Sequence, residues 1–321
     1  MRTTLLLLTL AACDGSGPAD PIQGDPADPI DDPPPSTYIF DEDAPPEPTA
    51  SLAQLSTALQ EALDLTLHIR ADPVQAAYET AMSGSTGACP YVYSTPDGAY
   101  WYDSCTANDG TQFEGYVFAY GDTDLFDPGS GFTFDYWYAF GGATIDVPSG
   151  DQLELAGRAV WQVGVNDNDG VPIVLSYTDV GGTFHWDGAE ADDTWMRLGI
   201  DPDLTTQVTA VPSYALATVY LGGGFGGFAD GWAVGFDENV IGDEAMGLPC
   251  AAELSGTLGL RAPDGTWYDV QFDGSDGTDP DFDPAACDGC GHAYYQGEPM
   301  GEVCADFSTL MGAARATEVS P

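Results

Sequence analysis

The sequence predicts a mainly β protein: a large antiparallel β-meander, open sheet or sandwich of roughly ten strands, with two short N-terminal helices and a disulfide-stapled C-terminal segment. Beyond Gly84, apolar residues recur at every second position, which is the period of a strand. Pro-Asp-Gly, Asn-Asp-Gly and Gly-Gly turns separate these runs. No helix-length pattern lies between them, so consecutive strands are expected to pair antiparallel.

Residues 1–12 have the pattern of a signal peptide. Arg2 supplies one positive charge, and a short, mostly apolar run from Leu5 to Ala12 follows it. About twenty apolar residues are needed to cross a bilayer, so this run is too short for a transmembrane helix.

The apolar run ends in Leu10-Ala11-Ala12-Cys13, which resembles the lipobox of bacterial lipoproteins. The resemblance implies that Cys13 is lipidated and becomes the mature N-terminus. The protein is then anchored in the cell envelope of a Gram-negative bacterium, facing the periplasm or the outer surface. An ordinary secretory signal that happens to carry a cysteine is the alternative. Asp14 resembles an inner-membrane retention signal of enteric bacteria, but that rule differs among lineages, and the choice of membrane stays open.

Residues 13–50 are predicted to be a lipidated, disordered tether. Residues 14–50 contain ten prolines, ten acidic residues and no basic residue. Such a segment cannot bury a core, and its prolines and like charges keep it extended. At the polyproline rise it spans up to roughly 100 Å, enough to hold a folded body away from a membrane.

Residues 51–83 have the spacing of two helices. Ser51 and Gln54 form a capping-box signature, and leucines and alanines then recur on one helical face as far as about Arg70. Asp72 and Pro73 are the expected N-cap and first residue of the second helix. Both helices are expected to pack against the rest of the body.

Residues 84–321 are predicted to be the β-rich domain, with a Cys-rich C-terminal tail. The strand period is clear where five aromatic residues alternate with residues such as Thr133 and Asp135. Because aromatic residues at alternate strand positions usually face a core, burial of this face is expected. The five are Phe132, Phe134, Tyr136, Tyr138 and Phe140. Four tryptophans are candidates for stacking on sugars, although a core position is the more usual role of such residues: Trp101, Trp137, Trp161 and Trp186.

Removing Cys13 from the seven cysteines leaves an even number, which outside the cytoplasm predicts three disulfides. Cys89 and Cys105 flank a Pro-Asp-Gly turn and are expected to pair across a hairpin, which stabilises the fold by about 3 kcal/mol. For the other four, the favoured pairing joins Cys250 to Cys287 or Cys290, with the remaining cysteine bonded to Cys304.

Three other chemistries compete for the segment Cys287-Asp288-Gly289-Cys290-Gly291-His292. One alternative is a zinc site whose ligands are these two cysteines, Cys304 and either His292 or Cys250, since the spacing permits tetrahedral coordination. A thioredoxin-like pair should open a helix after a strand, and haem attachment needs a histidine directly after the second cysteine. Neither condition is met.

Two acidic loops are candidate calcium sites, and calcium is the favoured candidate cofactor. Calcium prefers six to eight oxygen ligands from closely spaced acidic residues in a loop. Neither loop has the EF-hand spacing, and a solvated turn is the alternative for each. The candidate ligands are Asp167 and Asp169 in the first loop and Asp276, Asp279, Asp281 and Asp283 in the second.

The charge balance excludes whole classes of partner. The chain has 52 acidic residues, six basic residues and a net charge of −46. Nucleic acid is excluded because so few cations cannot neutralise a run of phosphates. Membrane binding through a basic patch is excluded for the same reason, so contact with a membrane is expected through the N-terminal lipid only. Protein, polycation and carbohydrate partners all stay open.

No enzyme motif stands out in the sequence. Gly222–Gly227 satisfies the dinucleotide fingerprint by letter but lacks its strand-turn-helix context, so a flexible turn is expected there. No Gly-x-Ser-x-Gly elbow occurs, and the three histidines are predicted on a helix (His68), a strand (His185) and the Cys-rich loop (His292).

The whole chain is similar to the uncharacterised, acidic, cysteine-containing predicted lipoproteins of myxobacteria and related bacteria. The similarity rests on the lipobox at Cys13, the Pro/Asp-rich tether, the Cys-Pro and Pro-Asp-Gly segments and the Cys287–Cys304 tail. It implies no activity. The favoured function is a non-enzymatic extracytoplasmic binding or structural β-module, with calcium as a candidate ligand. The alternatives are a secreted carbohydrate-active hydrolase with a carboxylate pair and a carrier of lipid or another ligand with an open barrel.

Overall fold

The structure is a computed structural model and describes residues 45–85, 88–96, 98–127, 132–166, 174–204, 215–243, 250–274 and 282–315. The predicted signal peptide, Cys13 and most of the tether lie outside these residues. The helices are α1 (Leu52–Thr66), α2 (Ala71–Ser83) and α3 (Ser308–Arg315). The strands are β1 (Val92–Thr95), β2 (Gly98–Thr106), β3 (Gln112–Asp127), β4 (Phe132–Asp146), β5 (Gln152–Asn166), β6 (Val174–Trp186), β7 (Ala189–Leu204), β8 (Ala215–Phe228), β9 (Trp232–Gly242), β10 (Ser255–Arg261), β11 (Trp267–Asp273), β12 (Cys290–Tyr295) and β13 (Glu298–Cys304).

The thirteen strands form one antiparallel meander in which every strand pairs with its neighbours in sequence, from β1 at one edge to β13 at the other. The predicted mainly β class and the meander topology are confirmed. Turns of two to four residues join several of the strands, as between β6 and β7. Short connections of this kind allow only antiparallel neighbours, which explains why the strand order follows the chain.

The two predicted N-terminal helices are present. In α1, the Ser51 side chain accepts a hydrogen bond from the Gln54 amide and the Gln54 side chain caps the Ser51 amide, which completes the predicted capping box. The start of α2 differs from the prediction, since its N-cap is Arg70 rather than Asp72. The Arg70 guanidinium binds the Asp72 carboxylate at 2.9 Å, so this carboxylate pairs with a cation instead of capping the helix. Helix α3 is an addition to the two predicted helices.

The helices pack against one side of the sheet, here called the inner face. Helix α1 contacts β7, β9, β10 and β13, α2 contacts β5 and β6, and α3 contacts β7 and β8. The buried indole of Trp101 on β2 donates a hydrogen bond to the Tyr78 hydroxyl of α2 at 3.2 Å. Burial raises the pKa of Tyr78 to about 12, although this hydrogen bond lowers it. The core of the described chain therefore lies between the helices and the inner face.

The glycine run Gly222–Gly227 is part of strand β8, so the expectation of a flexible turn is wrong. A side chain at Gly224 would place its Cβ 2.4 Å from the Val234 carbonyl oxygen of the adjacent strand. Glycine is needed there for close approach of two strands. Strand β9 follows this run instead of a helix, which rules out the dinucleotide fold.

Three disulfides close the fold: Cys89–Cys105, Cys250–Cys287 and Cys290–Cys304. The pairing predicted across the first hairpin is confirmed, and so is the favoured pairing of the other four cysteines. Disulfides are typical of an oxidising, extracytoplasmic environment. Because these six sulfurs bond to one another, they leave no thiolate for the zinc or thioredoxin-like alternatives. Cys290 and Cys304 face each other on β12 and β13 and staple the C-terminal hairpin.

A buried carboxylate joins the segments around the second disulfide. The Glu253 side chain is only 1% exposed. One of its oxygens accepts the backbone NH groups of Asp273 and Gly274, and the other accepts those of Asp288 and Gly289, at 2.9–3.2 Å. We call this group the Glu253 junction. Burial and the neighbouring Asp273 carboxyl raise the pKa of Glu253 to about 7, against the opposing effect of the NH donors.

The end of the tether is hydrogen-bonded to two buried tyrosines on β11 and β12, near the β13 edge of the sheet. The Tyr295 hydroxyl on β12 donates a hydrogen bond to the Pro45 carbonyl. The Tyr268 hydroxyl on β11 accepts the amides of Thr49 and Ala50, each at 2.8 Å. None of the helices in the described ranges is long and apolar enough to cross a membrane.

Candidate functional site

Aromatic side chains are concentrated on the surface of the sheet that faces away from the helices, here called the outer face. Seven large hydrophobic side chains are exposed among the described residues, and six of them lie on or beside β1–β4. The seventh, Tyr220, lies on β8. Contiguous exposed apolar surface of this kind usually marks a binding site. The six are Tyr91, Tyr93, Tyr100, Tyr102, Tyr116 and Phe140.

The strand register explains why these side chains meet. Directly paired residues in an antiparallel sheet point to the same face. Tyr93 pairs with Tyr100, Tyr100 with Phe118, and Phe118 with Phe140, so four rings form a line across β1–β4. We call this line the aromatic row. It spans three strand spacings, or about 14 Å.

Ring contacts within the aromatic row, and between the row and the rings beside it, hold the row in place. The Tyr93 and Tyr100 rings are stacked, with centroids 5.0 Å apart and planes 10° from parallel. Phe140 contacts Phe118 at 5.7 Å and Tyr138 at 5.8 Å between centroids. These contacts order the surface before any ligand arrives, which reduces the entropy lost on binding. The aromatic row and its flanking rings together form the aromatic face, whose half-buried members are Phe118, Tyr120, Tyr136 and Tyr138.

The expectation that the alternating aromatic residues of β4 face the core is wrong for Tyr136, Tyr138 and Phe140. Phe140 is 39% exposed, and Tyr136 and Tyr138 are half-buried on the outer face. The core side of β4 is made by Trp137 and Ala139. Both faces of this strand are rich in apolar residues, so the alternation alone does not show which face the helices cover.

The four tryptophans considered for sugar stacking have the core position that is usual for such residues, and none of them is part of the aromatic face. Trp101 and Trp137 are buried in the core, and Trp161 and Trp186 are partly buried against it. Direct pairing of Trp161 with Trp137 places both on the inner face. Tyrosines take the exposed positions instead, and the sequence signal that marks them is Tyr100 and Tyr102 alternating with the core residue Trp101 on β2.

Two hydroxyl groups of the aromatic face, those of Tyr136 and Tyr138, have a raised pKa. Burial raises the pKa of Tyr136, helped by Tyr138 and Tyr120 beside it. Burial also raises the pKa of Tyr138, where the nearby Asp179 carboxylate adds to the rise and Arg158 opposes it. The face therefore combines flat apolar rings with hydroxyls that both donate and accept hydrogen bonds.

An ion pair borders the aromatic face on β5 and β6. Arg158 pairs directly with Phe140 and so continues the aromatic row by one strand. Its guanidinium binds the Asp179 carboxylate in a salt bridge. The Asp179 side chain is only 2% exposed, whereas that of Arg158 is 49% exposed. The pair thus has one buried and one accessible partner.

An acidic cleft of about 420 Å³ lies at another part of the molecule, between the end of α1 and the β6–β7 and β8–β9 turns. The His185 imidazole and the Asp192 carboxylate are in hydrogen-bond contact at 2.8 Å, in the strands on either side of the first of these turns. Neither Glu253 nor Asp179 lines this cleft, and both bind structural partners. The cleft's ionisable residues are Glu61, Asp64, His68, Asp187, Glu190 and Asp230.

Most of the candidate calcium ligands lie outside the described residues, namely Asp167, Asp169, Asp276, Asp279 and Asp281. Asp283 is described and caps a short 3-10 turn by accepting the Ala285 amide at 3.0 Å. In the part of the chain that the structure describes, no three His, Cys, Asp or Glu side chains converge as a metal site requires. His292, expected in a loop, lies on β12.

Comparison of the chain with family models, curated proteins and solved structures gives no match. The aromatic face offers a flat, preordered platform of uncharged rings with the accessible Arg158 guanidinium at its border, which is suited to binding.

Proposed function

We infer that this protein is a lipid-anchored, extracytoplasmic binding module that holds neutral polysaccharide chains on its aromatic face. The observation that carries the proposal is the aromatic row, four ordered rings across β1–β4 on a surface that no helix covers in the described chain. Pyranose rings present C–H groups of slight positive charge on their flat sides. Aromatic rings present a negative face, so the two stack favourably.

Charge supports a neutral ligand over the other partner classes. The net charge of −46 repels polyanions and also a second copy of the chain. The same field attracts a polycation, so the geometry of the rings decides against this partner. Stacked parallel rings such as Tyr93 and Tyr100 form a platform rather than a cage around a cation.

The lipid anchor completes the proposed function. Lipidation at Cys13 would fix the chain to a membrane, and the tether would let the aromatic face reach polysaccharide at a distance. Replacement of Cys13 by serine is expected to move the protein from the membrane fraction to the soluble fraction, and mass spectrometry of the wild-type N-terminus should show acyl chains. An unmodified N-terminus on the mature wild-type protein would contradict the anchor.

Binding is tested by titration calorimetry with neutral hexasaccharides: cellohexaose, β-1,4-mannohexaose and laminarihexaose. The double variant Tyr116→Ala/Phe140→Ala removes two exposed rings and is expected to weaken binding at least about tenfold. Tyr220→Ala is the matched control, because it removes an equally exposed ring elsewhere on the outer face. Failure of the wild type to bind any of these sugars, or equal binding by the double variant, would overturn the proposal.

A further inference from the structure

The geometry points to Arg158 as the residue that selects the sugar: held by Asp179 at the end of the aromatic row, it recognises adjacent equatorial hydroxyls of a neutral pyranose chain. This inference rests on the proposed function and names the ligand class of the same surface. It follows from the position, the support and the exposure of the Arg158 side chain.

The first observation is the position of Arg158 at the end of the aromatic row. Strand pairing continues the aromatic row from Phe140 on β4 to Arg158 on β5. A sugar ring stacked on Phe140 would therefore have its edge, rather than its flat side, turned toward the guanidinium. Equatorial hydroxyls leave a pyranose ring at its edge, while axial hydroxyls point along the stacking direction. Arg158 is thus placed to contact equatorial hydroxyls.

Support comes from Asp179. A carboxylate that is 2% exposed is costly to bury without a partner, and here Arg158 supplies one. Asp179 pairs directly with Val160, two residues beyond Arg158 on β5, so the salt bridge is a diagonal contact between neighbouring strands. The salt bridge both neutralises Arg158 and fixes its orientation, as recognition of a hydroxyl pair requires.

Exposure leaves the guanidinium free to act. The Arg158 side chain is 49% exposed. A guanidinium has five NH donors in a planar fork, more than one carboxylate oxygen occupies. Since Asp179 cancels the charge and the whole chain is strongly acidic, the fork suits hydroxyl oxygens better than the carboxylates of an acidic polysaccharide.

The test compares two neutral hexasaccharides that differ at one carbon. Cellohexaose carries equatorial hydroxyls at carbons 2 and 3, whereas in β-1,4-mannohexaose the hydroxyl at carbon 2 is axial. The wild type is expected to bind cellohexaose about tenfold more tightly. Arg158→Lys retains a cation for Asp179 but lacks the planar fork, and it is expected to reduce the preference to about twofold or less while keeping the melting temperature.

A second variant shows whether a lost sugar preference results from the missing guanidinium or from misfolding. Arg158→Gln/Asp179→Asn replaces the ion pair by a neutral pair of similar size, so neither member of the pair keeps an uncompensated charge. It should lose the same preference as Arg158→Lys. Tyr220→Ala, outside the aromatic row, should keep it.

The possible failures are separable. Equal wild-type affinities for the two sugars, or a preference that survives in both Arg158 variants, would overturn the role of Arg158 and leave the aromatic face as a binding surface. Binding of polygalacturonate that depends on Arg158 would show that the guanidinium recognises a carboxylate and would also overturn it. A wild type that binds neither hexasaccharide would overturn this inference, and the proposed function falls with it only if laminarihexaose also fails to bind.

Discussion

The aromatic face and the Glu253 junction depart from the usual distribution of polar and apolar groups in opposite directions. Soluble proteins bury apolar side chains and expose charged ones, so a buried charge and an exposed apolar patch are the informative exceptions. At the junction, a carboxylate that is 1% exposed has four backbone NH partners. On the aromatic face, Tyr102 is 78% exposed and its neighbour Trp101 is 1% exposed.

The two regions differ in whether the partners of their unusual groups lie within the same chain. Glu253 binds four NH groups from two segments of the same chain, so its burial is explained by the fold. The exposed rings of the aromatic face contact one another but keep one side open to solvent. We therefore interpret the junction as structural and the face as a surface for an external ligand.

The largest effect is expected from removing the Glu253 side chain. Glu253→Ala leaves four backbone NH groups without their acceptor and should lower the free energy of unfolding by about 4 kcal/mol. Tyr102→Ala, on the aromatic face, should change it by less than about 0.5 kcal/mol. Urea denaturation of both variants at pH 7 measures the contrast. If Tyr102→Ala proved as destabilising as Glu253→Ala, the aromatic face would be part of the structural framework.

The stability contributed by the Glu253 junction should depend on pH, whereas that contributed by the aromatic face should not. The pKa of Glu253 is about 7 in the folded protein against an ordinary value of 4.5. The folded state therefore binds more protons than the unfolded state between these values, so this group's contribution to stability falls as pH rises from 4.5 to 7, by up to about 3 kcal/mol.

The measurement is the difference in unfolding free energy between the wild type and Glu253→Gln across that pH range. The difference should shrink toward pH 7, whereas the corresponding difference for Tyr102→Ala should stay constant. Parallel curves for the wild type and Glu253→Gln would show that Glu253 does not titrate in this range.

The smallest effect is expected from salt. With 52 acidic and six basic residues, the folded chain repels itself, and molar sodium chloride should raise its stability by about 1 kcal/mol. Sugar binding on the uncharged aromatic face should change by less than about twofold over the same range. Melting curves test the expected gain in stability, and calorimetric titrations test the expected small change in sugar affinity. A steep loss of affinity with salt would indicate a charged ligand instead.

Local sequence signals predicted the meander, the capping box at Ser51 and Gln54 and the disulfide between Cys89 and Cys105, because each depends on residues close together in the chain. The error at Asp72 is itself local, because its carboxylate binds Arg70 two residues away rather than capping α2. A more distant contact decides at Gly222–Gly227, which is in a strand because β9 approaches it closely.

By itself the sequence determined the β class, the order of the strands and the excess of acidic charge, since alternation, turn residues and composition are local properties. It also supplied all the rings of the aromatic face. Only the tertiary structure decided which face of the sheet those rings occupy. Strands β2 and β4 have apolar residues on both of their sides. The helices pack against one side of the sheet, which buries Trp101 and Trp137. Tyr102 and Phe140, on the other side, stay exposed.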